Sequence, residues 1–175
     1  MTTTGLTFTV IGTPQPAGSK KGFVINGKAV LSDANKKSKP WKQEVASVAS
    51  QAFLATGRAL LLTGPIRATF CFYRPRLTSH FGKSGVLNKS GRDTPYPITK
   101  PDALKLARGV EDALTKVVYH DDSQIVEEHL YKLWGEPARV EVTIEEMRET
   151  IWTTDPAGQP QLDALLKAVG WDLKS

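Results

Sequence analysis

The stretch KPDALKLARGVEDALTKVVYHDDSQIVEEHLYK, residues 100–132, decides the fold. Pro101 suits the opening of a helix, and Leu106, Val110, Ala113, Leu114 and Val117 recur at helical spacing, which predicts an amphipathic helix with a defined buried face. Lys105, Arg108 and Asp112 fall on the opposite side. Leu104 projects among these polar residues, and Glu111, seven positions on, returns to nearly the same direction about 10 Å further along the axis. Beyond VVYHDD, the segment from Gln124 to Trp134 reads as a strand and Gly135-Glu136-Pro137 as a turn. Val140, Val142 and Ile144 then alternate with Arg139, Glu141, Thr143 and Glu145 in a further strand, so the two strands are expected to form a hairpin.

Upstream, Leu6, Phe8 and Val10 alternate with Thr7 and Thr9 in the pattern of a half-buried strand ending at Gly12. A Pro/Gly/Lys loop follows. Asn26-Gly27 then sits between two short apolar runs, the signal of a two-residue hairpin. Pro40 suits the first turn of a helix whose stripe is Trp41, Val45, Val48, Ala52 and Phe53, stopped by Gly57. Ile66, Ala68, Phe70 and Phe72 share one face of a strand expected in the middle of the sheet. Residues 75–100 carry no sustained periodicity, and a loop this long in a compact domain is usually functional or disordered. Downstream, Leu162, Leu165, Leu166 and Val169 fit a short amphipathic helix ending at Gly170.

A chain of 175 residues with 40% hydrophobic and 23% charged residues is sized and composed for one globular domain, which excludes wholesale disorder. No apolar run approaches the roughly 20 residues of a membrane span, and the polar start lacks a signal peptide's pattern, so a cytoplasmic protein without membrane association is expected. A single cysteine, Cys71, reads as a buried inert thiol. The net charge of +5 hides an asymmetry. Residues 1–100 hold 15 Lys and Arg against 3 Asp and Glu, a net +12, while residues 101–175 hold 8 against 15, a net −7. Such a chain can present one surface to a polyanion and another to metal cations, or simply carry an uneven solvated charge.

The acids of interest are Asp102 at the helix start, Glu111 and Asp112 two to three turns later, and Asp121-Asp122 before the strand. Each has a local structural reading: Asp102 through the helix dipole, Asp121-Asp122 as turn formers, Asp112 in an ion pair with Arg108 or Lys116. Together they also suit a hard divalent cation, which takes carboxylate oxygens and keeps several waters. His120 and His129 lack the companions that a zinc site demands.

The run of residues 100–132 resembles the RusA family of Holliday junction resolvases, homodimeric Mg²⁺-dependent endonucleases that cut four-way DNA junctions. GTPQPAGSKKGF, the Lys-rich approach to Trp41, and RPRLTSHFGKSG extend the resemblance to about residues 6–147. It implies an α+β fold, a mixed β-sheet with two main helices packed on it, over residues 1–147, leaving 148–175 as a tail with the short helix. The family's first acid falls on Asp102, its basic residue on Arg108 and its DD pair on Asp121 and Asp122, with Lys105 a further candidate base. The second acid falls on Leu104, which cannot ligate a metal; Glu111, on the same side of the helix, or Asp112, turned inward, are the candidates to replace it. The resemblance thus implies Mg²⁺, with Mn²⁺ as a substitute, bound by Asp102, Asp121 and Asp122, to which the helix direction adds Glu111, with Asp102, Asp122, Arg108 and Lys105 catalytic. The implied substrate is branched DNA, contacted through phosphates by Lys20, Lys21, Lys36, Lys37, Arg74, Arg76, Lys83, Lys89 and Arg92. His80, Phe81 and Tyr96 either stack on an opened base or fold back on the core. A non-catalytic junction-binding protein of the same fold is the alternative that Leu104 raises.

Overall fold

A computed structural model describes residues 5–18, 20–25, 27–33 and 35–147. The elements run β1 (Gly5–Ile11), β2 (Lys20–Ile25), β3 (Lys28–Asp33), α1 (Ser38–Ala55), β4 (Ile66–Arg74), α2 (Lys89–Asp93), α3 (Ala103–Leu114), β5 (Ile125–Trp134) and β6 (Arg139–Glu146), with single 3₁₀ turns at Thr78–His80 and Asp122–Gln124. The fold is α+β: a four-stranded mixed sheet in the order β1-β6-β4-β5, with β2 and β3 as a separate antiparallel pair. The expected β2–β3 hairpin forms with Ile25 opposite Lys28, although Asn26 lies outside the described residues.

Alternation along the strands decides which face is covered. Leu6, Phe8, Val10, Ile66, Ala68, Phe70, Phe72, Val140, Val142 and Ile144 form one buried face, and α1 and α3 pack on it. Helix α1 contributes Trp41, Val45, Ala49 and Phe53, so Ala49 takes the central place and Val48 and Ala52 only flank the core. Helix α3 contributes Leu106, Ala107, Gly109, Val110, Ala113 and Leu114; it ends at Leu114, which leaves Val117 in the following turn, still packed against the core. The opposite face is polar. Arg67 pairs there with Glu127 at 2.8 Å and Glu145 at 3.7 Å, and Arg139 with Glu141 at 2.8 Å. Cys71, on that face, is half-buried rather than buried, and its thiol pKa is raised by burial and by the Glu141 charge.

One expectation fails. Strands β5 and β6 do not pair with each other: β5 runs parallel to β4, and β6 lies antiparallel between β4 and β1. Strand β4, whose Ile66, Ala68, Phe70 and Phe72 are wholly buried on one face, takes ladder partners on both edges. Residues 135–138 carry the chain across the end of β4, a gap of two strand spacings, about 10 Å, which five Cα steps span easily. Among the described residues no helix is long and apolar enough to cross a membrane. The expected C-terminal helix at Leu162–Val169 and the tail boundary fall outside the described residues.

Helix α3 is held from its outer side by the segment after β1. Ala17 N–H donates to the Lys105 carbonyl at 2.8 Å, and a Cβ on Gly109 would stand only 3.0 Å from the Gln15 carbonyl oxygen. The absence of a side chain at Gly109 is what lets that backbone lie flat on the helix.

Candidate active site

The buried face of α3 fixes where its polar side chains emerge. Arg108 and Glu111 leave the helix toward the start of β5, while Asp112 turns to the other flank and bonds Lys42 at 2.6 Å and Arg108 at 3.7 Å. The expected Asp112–Arg108 pair is therefore present, with Lys42 of α1 as a second partner and Lys116 not involved.

The two adjacent aspartates have different roles. Asp121 caps the 3₁₀ turn: its carboxylate accepts from the Ser123 N–H at 3.0 Å, and Ser123 holds its pKa below the usual range. Gln124 completes this turn, accepting from the His120 and Asp121 N–H groups and donating to the Leu62 and Gly64 carbonyls. The turn is thereby tied to the segment before β4, and Asp122 lines a cleft of about 380 Å³ with Arg108, Glu111 and Glu128.

Glu128 is the residue that the sequence did not single out. The register shifts between Ile66 and Arg67, so that Ile66 faces Ile125 but Arg67 faces Glu127. Glu127 then joins Arg67 and His129 on the polar face, and Glu128 turns to the α3 side. Strand parity alone would have missed it: counted from Ile125, which packs on the core, unbroken alternation sends Glu127 to the helix side, and the register shift reverses this.

Of the four acids expected together, Asp102, Asp121, Asp122 and Glu111, only Asp122 and Glu111 share the cleft, and Glu128 joins them. Burial, together with a hydrogen bond and the charge of Glu128, pushes the Glu111 carboxyl up from 4.5 to about 8; the Arg108 guanidinium opposes this and the Asp122 charge adds to it. At neutral pH Glu111 is the protonated member of a carboxyl pair. Beneath it Tyr119, wholly buried, donates its hydroxyl to the Glu111 carbonyl at 3.2 Å and anchors the end of the helix. Among the described residues no three His, Cys, Asp or Glu side chains are placed so that they could hold a metal ion as they stand. The donor chemistry is nevertheless of the kind a hard cation takes: Glu111 and Glu128 are hydrogen-bonded to each other with Asp122 in the same cleft, and these carboxyls would hold a divalent ion only after losing the shared proton.

Asp102 and Lys105 stand elsewhere. Asp102 precedes the first residue of α3 without making a cap bond, pairs with Lys105 at 3.4 Å, and lines a second cleft of about 540 Å³ with Lys100, Asn35 and the Pro16–Gly18 backbone. Nine residues separate it from Glu111, about 13 Å along the helix. The structure therefore brings together Glu111, Asp122 and Arg108, adds Glu128, and leaves Asp102, Lys105 and Asp121 outside the group. Leu104 is 71% exposed, as its place among polar residues implied.

Of the cations expected on phosphates, Lys36, Lys37, Lys83, Lys89 and Arg92 are exposed, while Lys20 and Lys21 lie on β2. Arg74 and Arg76 are partly committed to the fold, Arg74 donating to the Lys100 carbonyl and Arg76 to those of Gly91 and Thr94. Of the loop aromatics, His80 folds back, buried with its ring edge-on to Trp134, whereas Phe81 and Tyr96 stay exposed.

Residues 8–145 match the family described as endodeoxyribonuclease RusA. The chain is also 39% identical over 140 residues to the uncharacterized protein YqaN of Bacillus subtilis (strain 168), covering 80% of this chain and 95% of that one.

Proposed function

Because the chain belongs to the RusA endodeoxyribonuclease family, we propose that it is a Mg²⁺-dependent nuclease that resolves four-way DNA junctions by paired phosphodiester hydrolysis. The observation that carries the catalytic reading is the acid group Glu111, Asp122 and Glu128 beside Arg108 in one cleft. Glu111, Asp122 and Glu128 would hold the cation, and Glu128 takes over the part of the acid that is missing at Leu104. When bound, Mg²⁺ supplies a Lewis acid for the phosphate and lowers the pKa of a bound water.

The chain's own residues do the rest. Arg108, always charged, acts as an electrostatic clamp on the phosphate rather than as an acid. Asp121 and Gln124 hold the turn that presents Asp122. Lys105, aligned by Asp102, and Lys100 border the adjacent cleft and take neighbouring phosphates, joined by the exposed Lys36 and Lys37. Symmetric cutting of a four-way junction calls for two such sites related by a twofold axis, so the working unit is a homodimer. A cytoplasmic setting is proposed with it.

The test is incubation of the protein with a labelled synthetic four-way junction, with and without Mg²⁺, beside linear duplex. Paired nicks that need the metal and vanish in Glu128→Gln, with binding retained, are the expected result. Full activity of Glu128→Gln combined with loss in Asp102→Asn would move the cation to the other cleft. Leu104 favours one second reading, a junction-binding protein that does not cut; tight binding without nicks in Mg²⁺ or Mn²⁺ would establish it.

A further inference from the structure

A third cleft, of about 400 Å³, opens at the C-terminal ends of β4 and β5, away from the acids. Its walls are aromatic and apolar: Tyr73, Phe81, Leu133 and Trp134, with Arg76 and Glu136 as its charged members. Most of this surface is held rigidly. The Trp134 indole N–H donates to the Thr94 carbonyl at 3.0 Å, its ring meets the His80 ring edge-on at 5.3 Å, and the Arg76 guanidinium lies 5.5 Å from its centroid. Arg76 is itself fixed by the Gly91 and Thr94 carbonyls. Tyr73 is pinned between the Arg139 guanidinium, 3.7 Å from its ring, and the backbone of Gly135, where a Cβ would stand 2.6 Å from the ring. Phe81, 36% exposed, is the aromatic member with no ring or guanidinium contact among the described residues.

We infer that this cleft is a stacking site for one unpaired nucleobase of the bound DNA. The rings of Phe81 and Trp134 beside the Arg76 guanidinium fit a base, whose π-face stacks whatever its sequence, while Tyr73, already covered by Arg139 and Gly135, closes the end of the cleft. A volume in the range of small-ligand sites, roughly 300–1,000 Å³, admits a base with its sugar. The Glu136 carboxylate disfavours a phosphate inside, whereas the exposed Lys83, Lys89 and Arg92 of the same segment favour phosphates outside, which is the charge order of a nucleotide entering base first. Six residues of β5 separate Glu128 from Trp134, about 20 Å. The base held here is therefore not the nucleotide at the acids; it gives the protein a grip on a strand that has left the duplex, such as one at a branch point.

The inference rests on the reading of the protein as a DNA nuclease but is tested without cutting. The full chain, free of divalent metal, is titrated with a short single-stranded oligothymidylate and with an abasic oligonucleotide of equal length and charge. Stacking of one base is worth roughly 1–3 kcal/mol, so the base-bearing strand should bind about 5- to 150-fold more tightly. Phe81→Leu, which keeps apolar volume without the ring, should shrink this ratio toward unity while leaving abasic affinity unchanged, and Phe81→Tyr should keep it. Equal affinity of the native chain for the two strands, binding of neither, or a ratio that survives Phe81→Leu would each overturn the inference. Failure of junction cutting with the ratio intact would reject the nuclease reading alone.

Discussion

Replacing Glu111 with glutamine, which imitates the protonated carboxyl, should make the protein more stable at alkaline pH. In the folded chain Glu111 keeps its proton up to about pH 8, while the unfolded chain releases it near 4.5. Between these values the folded state binds the extra proton, so stability falls as pH rises, by 1.36 kcal/mol per unit. The contribution is fully present below about pH 4.5 and lost by about pH 8. The full span would be about 5 kcal/mol; Glu111 is only half-buried, and solvent screening reduces this to on the order of 2 kcal/mol. The glutamine variant does not titrate. The gap between variant and native chain should therefore widen by that amount from pH 5 to pH 8.5, or by about 4–8 °C in Tm for a chain of this size. Urea or thermal melts of both proteins without divalent metal measure it, and the comparison cancels groups that titrate identically in each. Glu127 and Glu146, both held below the usual range because their hydrogen bonds and arginine partners outweigh burial, titrate at lower pH and do not contribute to the window. A gap that stays constant with pH, or narrows as pH rises, would refute the reasoning.

Mg²⁺ at 100 times its dissociation constant should stabilise the native chain by about 2.7 kcal/mol, read as a Tm increase that Glu128→Gln removes. Leu104→Asp should leave the cleavage rate nearly unchanged, since the acid group is complete without it, whereas Glu128→Gln should lower it roughly 100-fold in single-turnover assays. Gly109→Ala should cost about 1–3 kcal/mol in urea melts, because its methyl group meets the Gln15 carbonyl at 3.0 Å. Leu106→Ala, a truncation at a wholly buried site, should cost about 2–5 kcal/mol.

The elements most legible in the sequence are those whose burial follows a period. Leu6–Val10, Ile66–Phe72 and Val140–Ile144 alternate because one face of each strand is dry, and α3 shows its stripe for the same reason. Pairing is written less clearly. The short link from Trp134 to Arg139 looks like a hairpin turn, and only the need of β4 for partners on both edges reveals a crossing instead. Residues 75–100 hide their order because it is made by side chains on carbonyls, Asn88 on Ser79, Arg76 on Gly91 and Arg92 on Leu87, which leaves no periodic trace. At the candidate site, Glu111 and Asp122 were legible from helix direction and the DD turn. Glu128 was not, since one shifted register decides which of two adjacent glutamates faces the helix. The distance that keeps Asp102 from Glu111 was legible in principle, as nine residues of helical rise.

The position of β6 between β1 and β4 reaches beyond the finished structure. The last described strand of the chain is an interior strand of the sheet, so a nascent polypeptide that has emerged only as far as Trp134 holds β1 and β4 with nothing between them. Until residues 139–146 leave the ribosome, both strands offer bare edges to any neighbouring chain, and the register of Leu6 with Ile144 must close a loop of nearly the whole domain. Folding is thereby postponed until residues 139–146 have emerged and is slowed by its long-range contacts. Chains cut short before β6 should accumulate as aggregates rather than as partly active protein.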